Sequence, residues 1–193
     1  MEGKIEVCGI DTSSEDADLH CKVGIIFQNP DNQIVGTTVE EDIAFGLENL
    51  ALSPMVMHDR IEKTAKELNI SQLLKTPIHK LSGGQKQLVC IASVLVMEPE
   101  WIIFDEPTSH LDPWARRELW RLLLRLKKER DVGIIVISQI SDDFDNFDEV
   151  IIFNSGRIKF NGTCQKLKEC DEAEKLIRMP DKWIFEKLVS EHG

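Results

Sequence analysis

LSGGQ at residues 81–85 and WIIFDEPTSHLD at residues 101–112 are the stretches that decide the fold predicted for this chain. The first predicts a helix entry whose glycines leave backbone N–H groups unobstructed, followed by an apolar run from Leu88 to Met97. Such a helix start binds anions, so phosphate is the natural ligand. The apolar residues 101–104 do not alternate with polar ones, which is typical of a parallel strand covered on both faces. The strand delivers two carboxylates to its carboxyl end, where open α/β sheets bind ligands.

In this order the two stretches resemble the signature motif, Walker B strand and D-loop of the ATP-binding cassette (ABC) family. A further stretch, QNPDNQIVGTTVEEDIAFG at residues 28–46, resembles the matching segment of energy-coupling factor importers, which move cobalt, nickel or vitamins. The resemblance covers roughly residues 3–163. It implies an α/β fold, a P-loop NTPase-like ABC cassette at 1–163 with a mainly parallel sheet. An inserted helical subdomain is expected at about 38–95, and a C-terminal helical tail at 164–193.

The resemblance also assigns roles around an ATP molecule shared by two subunits in a head-to-tail dimer. The residues implied to contact the phosphates of ATP held by the second subunit are Ser82, Gly83, Gly84 and Gln85. Ser82 and Gly84 would clamp the γ-phosphate. The site therefore lies between chains, and a second ABC ATPase subunit is an expected partner.

The carboxylate end of the 101–104 strand is implied to carry the chemistry. Asp105 would hold Mg²⁺ through water, and Glu106 would be the general base for the attacking water. Gln28, at the position of the family's Q-loop glutamine, would reach both Mg²⁺ and that water. Asp112 is predicted to cap the next helix, and its family counterpart also reaches across the dimer interface.

Two features depart from the family pattern. Gln139 occupies the position of the switch histidine, which contacts the γ-phosphate; its amide can donate a hydrogen bond but cannot carry an imidazolium charge. We therefore keep Gln139 as a candidate catalytic residue and expect weakened hydrolysis. In addition, no G-x-x-x-x-G-K-[ST] occurs in the sequence, so the Walker A cradle for phosphate is missing. We expect the cassette to be incomplete at its N-terminus, starting just downstream of that loop.

The missing Walker A strand also affects the predicted sheet. Apolar strands at 23–27, 101–104 and 134–137 would face an unpaired edge or a gap. Further predictions are a strand at 4–10, a strand from residue 21 to residue 27, and a hairpin about residues 154–156. Trp183, Phe185 and Leu188 could pack on the domain or on a partner.

Composition bounds the classes of function. The net charge of −11 and the pI near 4.9 disfavour nucleic-acid binding, which needs concentrated Lys and Arg. The five cysteines include no C-x-x-C pair, which disfavours a disulfide scaffold or a zinc site. No apolar run is long enough to span a bilayer, so we expect a cytoplasmic protein held at the membrane by a transmembrane transporter subunit.

Three interpretations follow. The first is the ATP-binding subunit of an energy-coupling factor importer, which couples ATP binding and hydrolysis to transport. The second is a non-catalytic partner that donates its LSGGQ motif to an intact ATPase. The third is a truncated gene product.

Overall fold

A computed structural model describes residues 4–13, 19–109, 111–170, 173–184 and 186. The chain divides into two compact units, residues 1–137 and 138–193. The predicted cassette at 1–163, the tail at 164–193 and the helical subdomain at 38–95 follow other boundaries and stay predictions. His110 of the quoted motif lies outside the described residues.

The first unit combines helices and strands. They are β1 (Glu6–Val7), β2 (Ile10–Asp11), α1 (Leu19–Lys22), β3 (Val23–Ile26), α2 (Val39–Phe45), α3 (Pro54–Glu67), α4 (Gly83–Leu95), β4 (Trp101–Asp105), α5 (Pro113–Arg130) and β5 (Gly133–Ile137). The second unit contains β6 (Val150–Asn154), β7 (Arg157–Gly162), α6 (Cys164–Lys168) and α7 (Ala173–Leu176). A short 3₁₀ helix, Pro30–Asn32, lies between β3 and α2.

The central sheet is parallel, with β4 between β3 and β5. Ile26 pairs with Phe104, which in turn pairs with Val136, so the three strands end at one edge of the sheet. The structure thus brings the residues after β3 and those at the end of β4 to the same edge. The predicted α/β class with a parallel sheet is confirmed.

One face of this sheet forms the core of the first unit. Ile26, Ile102 and Phe104 are almost completely buried on it. α4 packs against β3 so closely that a Cβ atom at Gly24 would collide with Val94, which explains the glycine in this strand. α5 lies beside β5 and buries an apolar stripe that includes Leu119, Leu123 and Leu126.

The opposite face is apolar and largely bare, contrary to the prediction that residues 101–104 are covered on both faces. Ile25 is 47% exposed, Trp101 42%, Ile135 45% and Ile137 54%. The absence of alternation correctly predicted two apolar faces, but in the described residues α4 and α5 cover only one of them. The predicted buried strands at 21–27 and 134–137 are corrected in the same way.

Of the two predicted alternatives for these strands, an unpaired edge or a gap, the described residues show unpaired edges. No gap lies beside residues 101–104, because β4 has hydrogen-bonded neighbours on both sides. Within the described parts of the chain, it is the outer edges of β3 and β5 that lack a neighbouring strand.

The N-terminal prediction of one strand at 4–10 is wrong. β1 and β2 form a short antiparallel hairpin, because Cys8 (φ 51°) and Gly9 (φ 78°) both adopt left-handed backbone conformations. The strand predicted to begin at residue 21 begins at Val23, since α1 occupies the residues before it. The apolar run itself starts at Val23.

The segment between β3 and β4 is held together by a buried carboxylate. Asp42, on α2, accepts hydrogen bonds from Val35 N (2.8 Å), Gly36 N (3.0 Å) and Ser93 Oγ (2.7 Å). It is 4% exposed. These bonds satisfy a buried charge and connect α2 to α4. A capping box formed by Thr38 and Glu41 begins α2, as the T-x-x-E spacing of the sequence predicts.

The second unit packs around the β6–β7 hairpin, which turns at residues 155–156 as predicted. Its buried cluster contains Val150, Ile152, Leu167 and Trp183. Trp183 therefore packs within this unit, while Phe185 and Leu188 lie outside the described residues. Across the described chain, no helix combines the length and apolar character that crossing a membrane requires.

Candidate functional site

The first part of the site is the α4 entry, residues 82–85. Ser82 is the N-cap of α4: its Oγ accepts from Gln85 N (3.3 Å), while Gln85 Oε1 accepts from Ser82 N (2.9 Å). This capping box satisfies two of the donors at the helix start. The S-x-x-Q spacing at residues 82–85 is the sequence signal for this capping box, which the sequence analysis did not use.

The capping box leaves the intervening amides for a ligand. For Gly83 and Gly84, an added Cβ would meet nothing within 4 Å, so the described chain does not crowd the side-chain positions of these two residues at the helix start. Two free amides at the positive end of a helix dipole form an anion site. The Ser82 hydroxyl accepts from Gln85 and can still donate its own proton to a bound anion. The geometry therefore fits the predicted phosphate contact.

The second part is the carboxylate edge, formed by Gln28, Asp105 and Glu106. Asp105 is the last residue of β4 and pairs with Ile137 of β5. Glu106 follows with a left-handed backbone (φ 44°), and its N–H donates to Ile137 O at 2.9 Å. A left-handed conformation is unfavourable for a residue with a side chain, and such strain clusters at functional sites.

Gln28 contacts Glu106 directly. Its Nε2 donates to Glu106 Oε2 at 3.1 Å and to Ser109 Oγ at 3.2 Å. Ser109 Oγ in turn donates to Glu106 O at 2.9 Å. The structure thus brings together two predicted residues that are far apart in sequence, and it adds Ser109, whose part in the site the sequence reasoning missed.

The donor set at the carboxylate edge fits Mg²⁺. Among the described residues, no group of three or more His, Cys, Asp and Glu side chains could hold a metal ion. Mg²⁺, however, is commonly bound by one or two carboxylates together with substrate phosphates. Asp105 offers the carboxylate. Gln28 uses its amide nitrogen for Glu106, which leaves its carbonyl oxygen as the atom suited to a cation.

The structure confirms the predicted helix cap at Asp112, whereas the predicted role of Gln139 stays a prediction. Asp112 is the predicted N-cap: its Oδ1 accepts from Trp114 N (2.8 Å) and Ala115 N (2.9 Å) at the start of α5. Its reach across a dimer interface stays a prediction. Gln139 is exposed and belongs to the second unit, and its catalytic role also stays a prediction.

A cavity of about 220 Å³ lies apart from the predicted site. Its lining includes Lys63, Glu98 and Arg130, and none of the predicted site residues lines it. The chemical groups indicate the site better than the cavity does, because open amides and strand-end carboxylates suit a ligand that a second surface covers. We call the α4 entry and the carboxylate edge half-sites, because the predicted site lies between chains.

Comparison with known proteins fits this geometry. A family model described as ABC transporter matches residues 1–109. The chain belongs to the ABC transporter family. The match includes the α4 entry and the carboxylate edge.

Curated relatives place the chain within the family. The energy-coupling factor transporter ATP-binding protein EcfA1 of Clostridium novyi is 39% identical over 168 residues, which is 86% of this chain and 60% of the relative. EcfA1 of Mycoplasmopsis synoviae is 36% identical over 193 residues, 100% of this chain and 72% of the relative. This ABC chain therefore spans less than two thirds of the length of the Clostridium novyi protein. Its predicted relationship to the energy-coupling factor group is confirmed.

A solved structure agrees with the fold. CbiO1 of Clostridium perfringens, described as part of the ABC transporter complex CbiONQ, matches with a TM-score of 0.75 and 34% identity. The match covers 88% of this chain and 69% of that chain. The predicted ABC cassette fold is thus confirmed.

Proposed function

We propose that this chain is the ATP-binding subunit of an energy-coupling factor importer, coupling the binding and hydrolysis of ATP to transport. The observation that carries the proposal is the pair of half-sites in one chain. The α4 entry presents the open amides of Gly83 and Gly84, and the carboxylate edge presents Glu106 in contact with Gln28. The relatives named above support the importer class.

In this proposal the α4 entry holds the terminal phosphates of an ATP molecule bound by a second ABC subunit. The amides of Gly83 and Gly84 point their partial positive charge at the phosphate oxygens, and the Ser82 hydroxyl donates a further hydrogen bond. Gln85 keeps this arrangement rigid through its bond to Ser82 N. The two subunits join head to tail, with Asp112 at their interface.

The carboxylate edge activates water. Glu106 is the general base, and its Oε2 is held by the Gln28 amide at 3.1 Å, which keeps the carboxylate in one orientation. Asp105 and the Gln28 carbonyl oxygen would hold Mg²⁺, which neutralises phosphate charge when bound. Gln139 would donate a hydrogen bond to the γ-phosphate.

Hydrolysis by this chain alone is expected to be no faster than that of a Glu106→Gln variant. The chain has no G-x-x-x-x-G-K-[ST] to hold the phosphates in front of Glu106. The two hydrolysis rates are measured as phosphate release from purified wild type and Glu106→Gln in the presence of ATP and Mg²⁺. Magnesium-dependent turnover in the wild type clearly above the Glu106→Gln rate would contradict the prediction.

A second candidate function is that of a non-catalytic partner, and the open α4 entry supports it. The α4 entry is complete in this chain, so it can serve ATP that another subunit binds through its own phosphate loop. The chain would then be the structural and regulatory half of a heterodimer. The test of Ser82 described in the Discussion addresses this function directly.

A membrane subunit is the other proposed partner, and the chain would lie at the cytoplasmic face of the membrane through it. CbiO1, which shares the fold, is described as part of a transporter complex. Two apolar side chains between β3 and the end of α2 are strongly exposed, Val35 at 61% and Phe45 at 54%. Exposed apolar side chains of this kind suit an interaction surface. We assign these two side chains to a patch that contacts the membrane subunit.

Phe45→Glu is expected to reduce co-purification with the membrane subunit at least about tenfold, because a charge must be desolvated where an aromatic ring was buried. Leu124→Glu, on α5, is the matched control, since Leu124 is 44% exposed and lies on another element. Affinity capture from detergent extracts measures the effect. Equal capture of both variants would contradict the assignment of the patch.

A further inference from the structure

The first turns of α4 contact the loops that carry the carboxylate edge. Lys86 Nζ lies 2.6 Å from Asp31 Oδ1, and Cys90 Sγ lies 3.8 Å from Pro30 O. Gln87 Nε2 donates to Pro107 O at 2.8 Å. α4 therefore contacts the 3₁₀ helix after β3 and the turn after β4, which are separate segments of the sequence.

The same two loops hold Gln28 and Glu106. Asp31 lies in the 3₁₀ helix that follows Gln28, and this helix is capped by Asn29, whose Oδ1 accepts from Asp31 N at 3.0 Å. Pro107 directly follows Glu106. Because Gln28 also bonds to Glu106, a closed ring of contacts runs from α4 through both loops and back to α4.

We propose that Lys86 and Asp31 are positioning residues that couple the α4 entry of this chain to its carboxylate edge. A displacement of the α4 entry would pull the 3₁₀ helix through the Lys86–Asp31 pair and so shift Gln28 relative to Glu106. The catalytic consequence rests on the proposed function. In a head-to-tail dimer the α4 entry and the carboxylate edge of one chain serve different ATP molecules, so this pair links the two ATP sites.

The environment of the pair supports coupling rather than a solvated surface contact. The Lys86 side chain is 21% exposed, although Asp31 is 63% exposed. Partial burial of the lysine weakens solvent screening, which otherwise makes exposed ion pairs contribute little. The neighbouring Gln87 bond and the Cys90 contact hold the same helix face against both loops.

Cys90 provides a local probe in the chain alone. It is completely buried, and burial, with the Asp42 carboxylate as a second cause, raises the pKa of its thiol to about 12. The thiol is therefore protonated and shielded from alkylation near neutral pH. Separation of α4 from the 3₁₀ helix would expose it, so its alkylation rate reports on the contact.

The first test compares Asp31→Lys, Lys86→Asp and the double exchange by iodoacetamide labelling of Cys90, followed by mass spectrometry of the peptide. Each single change is expected to raise the labelling rate about fivefold, and the double exchange is expected to restore it. Lys66→Asp, at an exposed position on α3, is the control and should leave the rate unchanged. Circular dichroism melting confirms that every variant is folded. Equal labelling of the single variants and wild type overturns the proposal.

The second test measures ATP turnover by a complex of each variant with a second ABC subunit that carries a phosphate loop. In this complex the α4 entry of the variant serves the ATP that the second subunit binds. Lys86→Asp is expected to lower kcat about fivefold with little change in KM, because loss of the pair leaves the α4 entry less firmly positioned against that ATP. The double exchange should restore kcat. A kcat equal to that of Lys66→Asp, or failure of the double exchange to restore it, overturns the coupling. If the wild-type complex has no turnover, the proposed function fails, and the labelling result alone decides whether the pair positions the two loops.

Discussion

Replacing Ser82 by arginine is expected to lower ATP turnover about 100-fold in a complex with a second ABC subunit that carries an intact phosphate loop. The arginine side chain would enter the open space in front of Gly83 and Gly84. It would also remove the oxygen that accepts from Gln85 N. The phosphate oxygens would thereby lose their site at the α4 entry.

The complex should be designed so that only this chain can complete the ATP site. The second subunit therefore carries a substitution of its own signature serine, which silences its homodimer. Ser71→Arg is the matched control, since Ser71 is exposed and lies outside the α4 entry. Loss of an N-cap costs only about 1 kcal/mol, so Ser82→Arg should still fold.

Phosphate release from the three complexes at saturating ATP and Mg²⁺ decides the outcome. Wild type and Ser71→Arg should have the same rate, while Ser82→Arg should approach the rate of the second subunit alone. Similar rates for wild type and Ser82→Arg would show that the α4 entry does not contact the nucleotide. That result would remove the basis for both proposed functions, importer ATPase and non-catalytic partner.

Ile102→Ala is expected to destabilise the protein by about 3 kcal/mol, whereas Ile135→Ala should cost about 1 kcal/mol or less. The two isoleucines lie on neighbouring strands of one sheet but on opposite faces, because Ile102 pairs with Ile134. Ile102 is 0% exposed and Ile135 is 45% exposed. Truncation therefore leaves a cavity at the first position and removes only partly hydrated surface at the second.

Urea unfolding followed by circular dichroism measures both changes against wild type. Whole domains are stable by only about 5–15 kcal/mol. The urea concentration at the unfolding midpoint should therefore fall far more in Ile102→Ala than in Ile135→Ala. Equal destabilisation by the two variants would mean that the Ile135 face is covered in solution, for example by another copy of the chain.

Several features of the fold were predictable because their causes are local in the sequence. The Ser82 and Asp112 caps follow from side chains that reach only two or three residues along the chain. The β6–β7 hairpin follows from the turn at residues 155–156. The motif order predicted the cassette, and the comparisons confirmed it.

Other features could not be predicted because their causes lie between segments. An apolar run such as residues 101–104 shows that a strand has two apolar faces, but it does not show how many faces receive a helix. The Gln28–Glu106 bond and the Lys86–Asp31 pair join residues far apart in sequence. Residues 4–10 alternate like a single strand. This pattern does not reveal that Cys8 and Gly9 adopt left-handed backbone conformations, which form the turn of the hairpin.

The sequence by itself determined the chemical groups of the two parts of the site: glycine amides at a helix start and two carboxylates at a strand end. These depend on residue identity and short-range geometry, which a linear sequence contains. Only the tertiary structure decided that Gln28 holds Glu106, that α4 contacts both loops, and that one apolar face of the sheet is bare. Each of these depends on the register of parallel strands and on close packing between distant segments, and residue order alone does not fix either.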